Sequence, residues 1–90
     1  MLRPRFTGSF KRERKLMQKR GRDMHKLTEV MGMIINEQPL PPERCNHPLQ
    51  GKWKDSLECH IQGDWVLVYE IDDVARKVTF QRTGSHSDLF

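Results

Sequence analysis

Three histidines lie in the second half of this 90-residue chain, with an aspartate and an arginine among them that could share their chemistry. His47 opens the run HPLQGKWKD. His60 and Asp64 lie in ECHIQGDW, and Arg82 and His86 lie in QRTGSH, shortly before the chain ends at Phe90. An imidazole, with an ordinary pKa near 6.5, can both give and take a proton at neutral pH. A carboxylate can act as a base or fix a histidine tautomer. A guanidinium stays charged and offers two parallel N–H bonds to a phosphate. Metal-free RNA cleavage needs these functions: a base for the 2′-OH, an acid for the leaving 5′-oxygen and a cation beside the phosphate. The residue types point to an enzyme acting on a polyanion, with RNA as the candidate.

Ninety residues make one domain with one small core. Hydrophobic residues are 36% of the chain, charged residues 31%, and the formal net charge is +4. The charge is uneven. Residues 1–46 carry eleven Lys and Arg against five Asp and Glu, and residues 47–90 carry five against seven. A basic half beside a histidine-rich half can hold phosphates while the histidines work. Cys45 and Cys59 follow neither a metal-ligand spacing nor a disulfide framework. No secretory or membrane-spanning run is visible, so a cytoplasmic protein with reduced thiols and no membrane partner is expected.

These groups need elements to position them. Residues 2–6 read as a short strand that Pro4 confines to an edge or a strand start. Ser9 is placed to cap a basic helix from Phe10 to Arg20, whose thin apolar stripe is Phe10, Leu16 and Met17. After Gly21, Asp23 can cap a second helix. There Met24, Leu27, Met31 and Ile34 recur at helical spacing, flanked by Val30 and Ile35. Pro39, Pro41 and Pro42 end it, and residues 36–54 form a long connection.

Ser56–Gln62 alternates, with Leu57, Cys59 and Ile61 on one face and Glu58, His60 and Gln62 on the other. Trp65–Ile71 reads as a central strand. Val74–Arg82 reads as the last strand, with Val78 and Phe80 in phase with Arg82. The expected architecture is α+β: two N-terminal helices on one face of a small antiparallel sheet, in the order β-α-α-β-β-β. The other face is left to bind something. His60 and Asp64 are expected to meet across the Gly63–Asp64 turn, and Arg82 and His86 to share a pocket.

HPLQGKWKD, ECHIQGDWVLVYEI and FQRTGSHSDLF, in this order, resemble the YafQ branch of the RelE/ParE toxin superfamily. The connector INEQPLPPERCNHPLQG fits as well. The match is continuous from about Asn46 to Phe90, while the N-terminal helices agree in length and basic character. The resemblance implies a single RelE-like toxin domain over residues 1–90. It implies an mRNA interferase that cuts mRNA in the ribosomal A site and is neutralised by a cognate, DNA-binding antitoxin encoded beside it. It places the functional positions at His47, His60, Asp64, Trp65, Arg82, His86 and Phe90.

On that basis His86 is expected as general acid, Asp64 or His60 as general base, Arg82 on the scissile phosphate and His47 as an auxiliary. Trp65 and Phe90, with Lys52 and Lys54 on either side of Trp53, are expected to meet substrate. Lys11, Arg12, Arg14, Lys15, Lys19 and Arg20 are expected to dock on the ribosome. No cofactor or metal is expected, because Cys59 and His60 are adjacent in a strand and point to opposite faces. Two other readings remain: a non-catalytic RNA- or ribosome-binding translation inhibitor, and a gyrase-directed toxin. The grouping of His60, Asp64 and His86 with Arg82 favours the enzyme over a pure binder.

Overall fold

A computed structural model describes all residues, Met1–Phe90. The segment with the clearest helical periodicity forms helix α2 (Met24–Ile35), which buries Leu27, Val30, Met31 and Ile34. Asp23 caps it by accepting from the His25 amide. Helix α1 (Gly8–Lys19) begins slightly earlier than the sequence suggests, because Thr7 and not Ser9 is its N-cap. The Thr7 hydroxyl accepts from Phe10 N and also donates to the Gln81 carbonyl at 2.7 Å, which ties the helix start to the sheet. The buried face of α1 is Phe10 and Met17. Leu16 lies off it and is 42% exposed, since neighbours on a helix point about 100° apart.

Five strands form one sheet in the order β1-β5-β4-β3-β2. They are β1 (Arg3–Phe6), the two-residue β2 (His47–Pro48), β3 (Leu57–Gln62), β4 (Trp65–Asp72) and β5 (Lys77–Ser85). The chain ends in a short helix, α3 (His86–Leu89). The sheet is mixed and not wholly antiparallel as expected, because β1 runs parallel to β5. Two helices connect β1 to the later strands, and a crossover of that kind permits a parallel pair. The last strand also starts later than expected. Asp72 Oδ1 accepts from the Val74 and Ala75 amides, and this turn leaves Val74 97% exposed.

The core lies between the helices and one sheet face. Phe10, Met17, Leu27 and Ile34 pack there with Leu2, Cys59, Ile61, Trp65, Leu67, Tyr69, Val78 and Phe80. The register sets what the opposite face carries. His47 faces Glu58, Glu58 faces Val68 and Val68 faces Arg82, one row across four strands. His60, Val66 and Gly84 form the next row.

A bulge places Arg82 in the first row. Tyr69 pairs with Phe80 and Val68 with Arg82, so Gln81 is an extra residue. Beyond a bulge the alternation changes phase. Arg82 therefore leaves the face of Val78 and Phe80, where simple alternation had put it, and Thr83 takes the core side.

Candidate active site

Glu58 lies at the centre of the site, and it is only 2% exposed. Its Oε1 is 2.9 Å from His86 Nε2, 3.5 Å from His47 Nε2 and 3.7 Å from His60 Nε2. Each approach follows from local structure. His47 is the register partner of Glu58 across the β2–β3 pair, where facing side chains stand about 5 Å apart. His60 is two residues along β3, on the same face. His86 is the first residue of α3, just after β5 turns away from the sheet.

Several bonds fix that turn. Ser85 and Asp88 form a reciprocal capping box, Ser85 Oγ accepting from Asp88 N and Asp88 accepting from Ser85 N. Gly84 lets α3 approach, since a Cβ there would stand 3.2 Å from Asp88 Cβ. Arg20 donates to Asp88 through Nη1 at 2.7 Å. The Arg20 pair and the capping bonds hold the Asp88 carboxyl well below the usual carboxylate range.

Aromatic rings continue the site outwards. The His60 and His86 rings lie 5.6 Å apart, Phe90 is 5.8 Å from His86, and Trp53 is 6.3 Å from Phe90. Phe90 is not frayed: its amide donates to the His86 carbonyl at 2.8 Å, and the residue stays 55% exposed. Lys52 holds its ammonium 5.9 Å from the Trp53 ring, and Lys54 is exposed beside it.

Arg82 is on the same sheet face but is already paired. Its Nε donates to both oxygens of Glu13 on α1, at 2.8 and 2.9 Å, and Nη2 donates to Oε2. The Glu13 contact raises the guanidinium pKa further above its ordinary value. Nη1 makes none of these bonds.

The structure does not bring two expected members into this cluster. Asp64 sits in the β3–β4 turn, 64% exposed at its side chain, and accepts from Arg22 at 3.1 Å instead of turning to His60. Trp65 does not line the site. It is fully buried on the core face, donating from Nε1 to Thr83 Oγ1 at 2.9 Å, because it opens β4 in phase with Leu67 and Tyr69.

The basic helix also divides. Lys11, Arg12, Lys15 and Lys19 are all exposed to solvent. Arg14 lies over the Phe6 and Phe10 rings at 5.5 and 5.4 Å, and Arg20 is held by Asp88. Glu58 is the functional candidate that reasoning on residue types passed over. Its signal was its place two residues before His60 in an alternating strand.

Glu58, His60 and His86 each offer a ligand atom, and these atoms lie within 4.8 Å of one another. A metal ion would fit this group of one carboxylate and two imidazoles. The expectation of no metal rested on Cys59 and His60. Cys59 does face the core, where burial pushes its thiol up to about 12, but the ligand set here does not involve it. Both cysteines are free. No helix is long and apolar enough to cross a membrane.

This small α+β body, with three imidazoles around a buried carboxylate, is similar in sequence and fold to a class of bacterial toxins. Residues 2–90 match the family described as the bacterial toxin of type II toxin–antitoxin systems, YafQ. The chain is 42% identical over 86 residues to the mRNA interferase toxin YafQ of Escherichia coli strain K12, covering 94% of this chain and 91% of that one. Its structure is similar to YafQ in the crystal structure of the E. coli DinJ–YafQ complex. There the TM-score is 0.92 and the identity 40%, covering 100% of this chain and 99% of that one. It is equally similar to a metal-bound toxin from Helicobacter pylori, with a TM-score of 0.93 and 40% identity over the full length of both chains. The chain belongs to the YafQ family of toxins.

Proposed function

We propose that this toxin, an endoribonuclease, cuts mRNA in the ribosomal A site by acid–base attack of the 2′-OH, and that a cognate antitoxin neutralises it. The observation that carries the chemistry is the buried Glu58 carboxylate with three imidazole nitrogens within 3.7 Å. A carboxylate next to an imidazole fixes its tautomer and stabilises its protonated form. With Nε2–H of His86 turned to Glu58, Nδ1 is the nitrogen that faces outwards. His86 is the acid and His60 the base.

His60 takes the 2′-OH proton and the 2′-oxygen bonds to phosphorus. The bond from phosphorus to the 5′-oxygen breaks, and His86 Nδ1–H protonates that oxygen. The products are a 2′,3′-cyclic phosphate and a free 5′-OH. Arg82 meets the phosphate through Nη1, and His47 steadies Glu58 from the β2 side. Phe90 and Trp53 offer ring faces for bases, with Lys52 and Lys54 beside them for the backbone. Asp64 acts through Arg22 and not as the base.

Lys11, Arg12, Lys15 and Lys19 form the docking surface for ribosomal RNA, where solvent-facing cations give affinity without chemistry. The partner assignment is supported by the likeness to YafQ of the DinJ–YafQ complex. The antitoxin is a neutralising protein and is itself DNA-binding.

A second reading has its own observation, the ligand geometry of Glu58, His60 and His86. An ion bound there would supply Lewis acidity to a phosphate oxygen. It would also compete with protons for the imidazoles of His60 and His86.

One experiment separates these readings. The protein is treated with EDTA, freed of chelator and assayed on programmed ribosomes in magnesium buffer, with cuts mapped by primer extension. Discrete cuts at an undiminished rate support metal-free cleavage. Cuts that return only when zinc or copper is added support the metal reading. Stalled ribosomes without cuts, with or without added metal, would mean a binder that blocks translation by occupancy.

A further inference from the structure

Helix α1 has one acidic residue, Glu13, among its many basic ones. Glu13 and Arg20 are seven residues apart, two helical turns, and so lie on the same side of the helix as Phe10 and Met17, which face the core. Both grip the end of the chain that carries the chemistry. Glu13 accepts from Arg82 Nε and Nη2 and from the Thr83 amide. Arg20 donates to both oxygens of Asp88, at 2.7 and 3.4 Å. The two grips bracket residues 82–88, and His86 lies between them.

The Glu13–Arg82 pair is the more enclosed, with side chains 18% and 27% exposed. It engages one edge of the guanidinium and leaves Nη1. The Arg20–Asp88 pair is more open, 43% and 30% exposed, and an exposed ion pair adds little to stability. Its geometry still matters. Asp88 is also half of the capping box that starts α3 at His86, so holding Asp88 fixes where that helix begins.

We propose that Glu13 and Arg20 are positioning residues. On this view α1 indexes two members of the site at once, setting the guanidinium of Arg82 through Glu13 and the imidazole of His86 through Arg20 and Asp88. Arg20 then leaves the docking set, and the docking stripe is Lys11, Lys15 and Lys19, spaced four residues apart, with Arg12 beside it. The inference rests on the roles given above to Arg82 and His86.

The test uses the full chain on programmed ribosomes and measures two quantities: the maximal single-turnover cleavage rate, and ribosome affinity across a salt series. Glu13→Gln, Arg20→Gln and Asp88→Asn are compared with Lys15→Gln, and thermal melts report folding. The positioning variants should lose about tenfold or more in maximal rate, since small misplacements of reacting groups are costly. Their ribosome affinity should stay within about twofold and their salt slope unchanged. Arg20→Lys should recover part of the rate.

Lys15→Gln should do the reverse, weakening binding and flattening the slope. If Arg20→Gln weakens binding with a flatter slope and an unchanged rate, Arg20 docks and the inference fails. A rate loss no larger than the loss of folded protein would overturn it too. Wild-type cleavage that Arg82→Ala and His86→Ala abolish, but the positioning variants leave intact, would sink this inference alone. Cleavage unaffected by Arg82→Ala and His86→Ala would sink the functional reading beneath it.

Discussion

Replacing Glu58 by glutamine removes one charge and almost no volume at the point where three histidines meet. The carboxylate is 2% exposed, and its best-formed bond is to His86 Nε2 at 2.9 Å. Hydrogen bonds to charged groups contribute about 1.5–3 kcal/mol. If that stabilisation is realised as His86 and His60 exchange protons with RNA, its loss corresponds to roughly 10- to 100-fold in rate. Stability should move the other way or not at all. A buried carboxylate has lost its hydration, and the amide that replaces it carries no charge to desolvate. The melting temperature should therefore hold or rise, on a scale of about 4–8 °C per kcal/mol for a domain of this size.

The assay is single-turnover cleavage on programmed ribosomes, beside a thermal melt of the same preparation. A folded Glu58→Gln protein with the wild-type rate would refute the reasoning, because Glu58 would then be a structural carboxylate that the histidines happen to surround. A variant that melts far lower would refute the stability half of the argument and make Glu58 a part of the fold.

Two further outcomes are expected. Changing Lys11, Arg12, Lys15 and Lys19 together to glutamine should weaken ribosome binding and toxicity, with the salt slope falling by about 0.7 to 0.9 for each phosphate no longer neutralised; unchanged ribosome affinity with weakened antitoxin binding would reassign that face. Cys45 is exposed and should react at once with a thiol reagent, whereas Cys59, fully buried and with its thiol raised to about 12, should react only as the protein unfolds, so two equally fast thiols would contradict the packing of β3.

Much of this molecule was legible along the chain, and what was not shares one cause. The spacing of Leu27, Val30, Met31 and Ile34 announces α2, and the alternation through Leu57, Cys59 and Ile61 announces β3, because each pattern is local. The same alternation already put Glu58 beside His60. It did not say that His47 would face Glu58, because that depends on a two-residue strand pairing across a loop. It did not say that Arg82 would leave the face of Phe80, because one extra residue at Gln81 decides it and a bulge has no fixed sequence signature.

Asp64 and Arg20 show the same limit in charge. The sequence shows that each is ionised but not which partner claims it. The structure gives Asp64 to Arg22 and Arg20 to Asp88, partners 42 and 68 positions away. Residue types therefore disclosed the chemical repertoire, while register, bulge and ion pair decide which groups come together. The helix that looked like a uniform cationic surface shows this most clearly. Met17 and Phe10 bury one side of α1, and that burial turns Glu13 and Arg20 towards the site while Lys11, Lys15 and Lys19 stay in solvent. A charge on α1 therefore takes its partners from its angle to the buried stripe: Glu13 and Arg20 meet Arg82 and Asp88, while Lys11, Lys15 and Lys19 meet water.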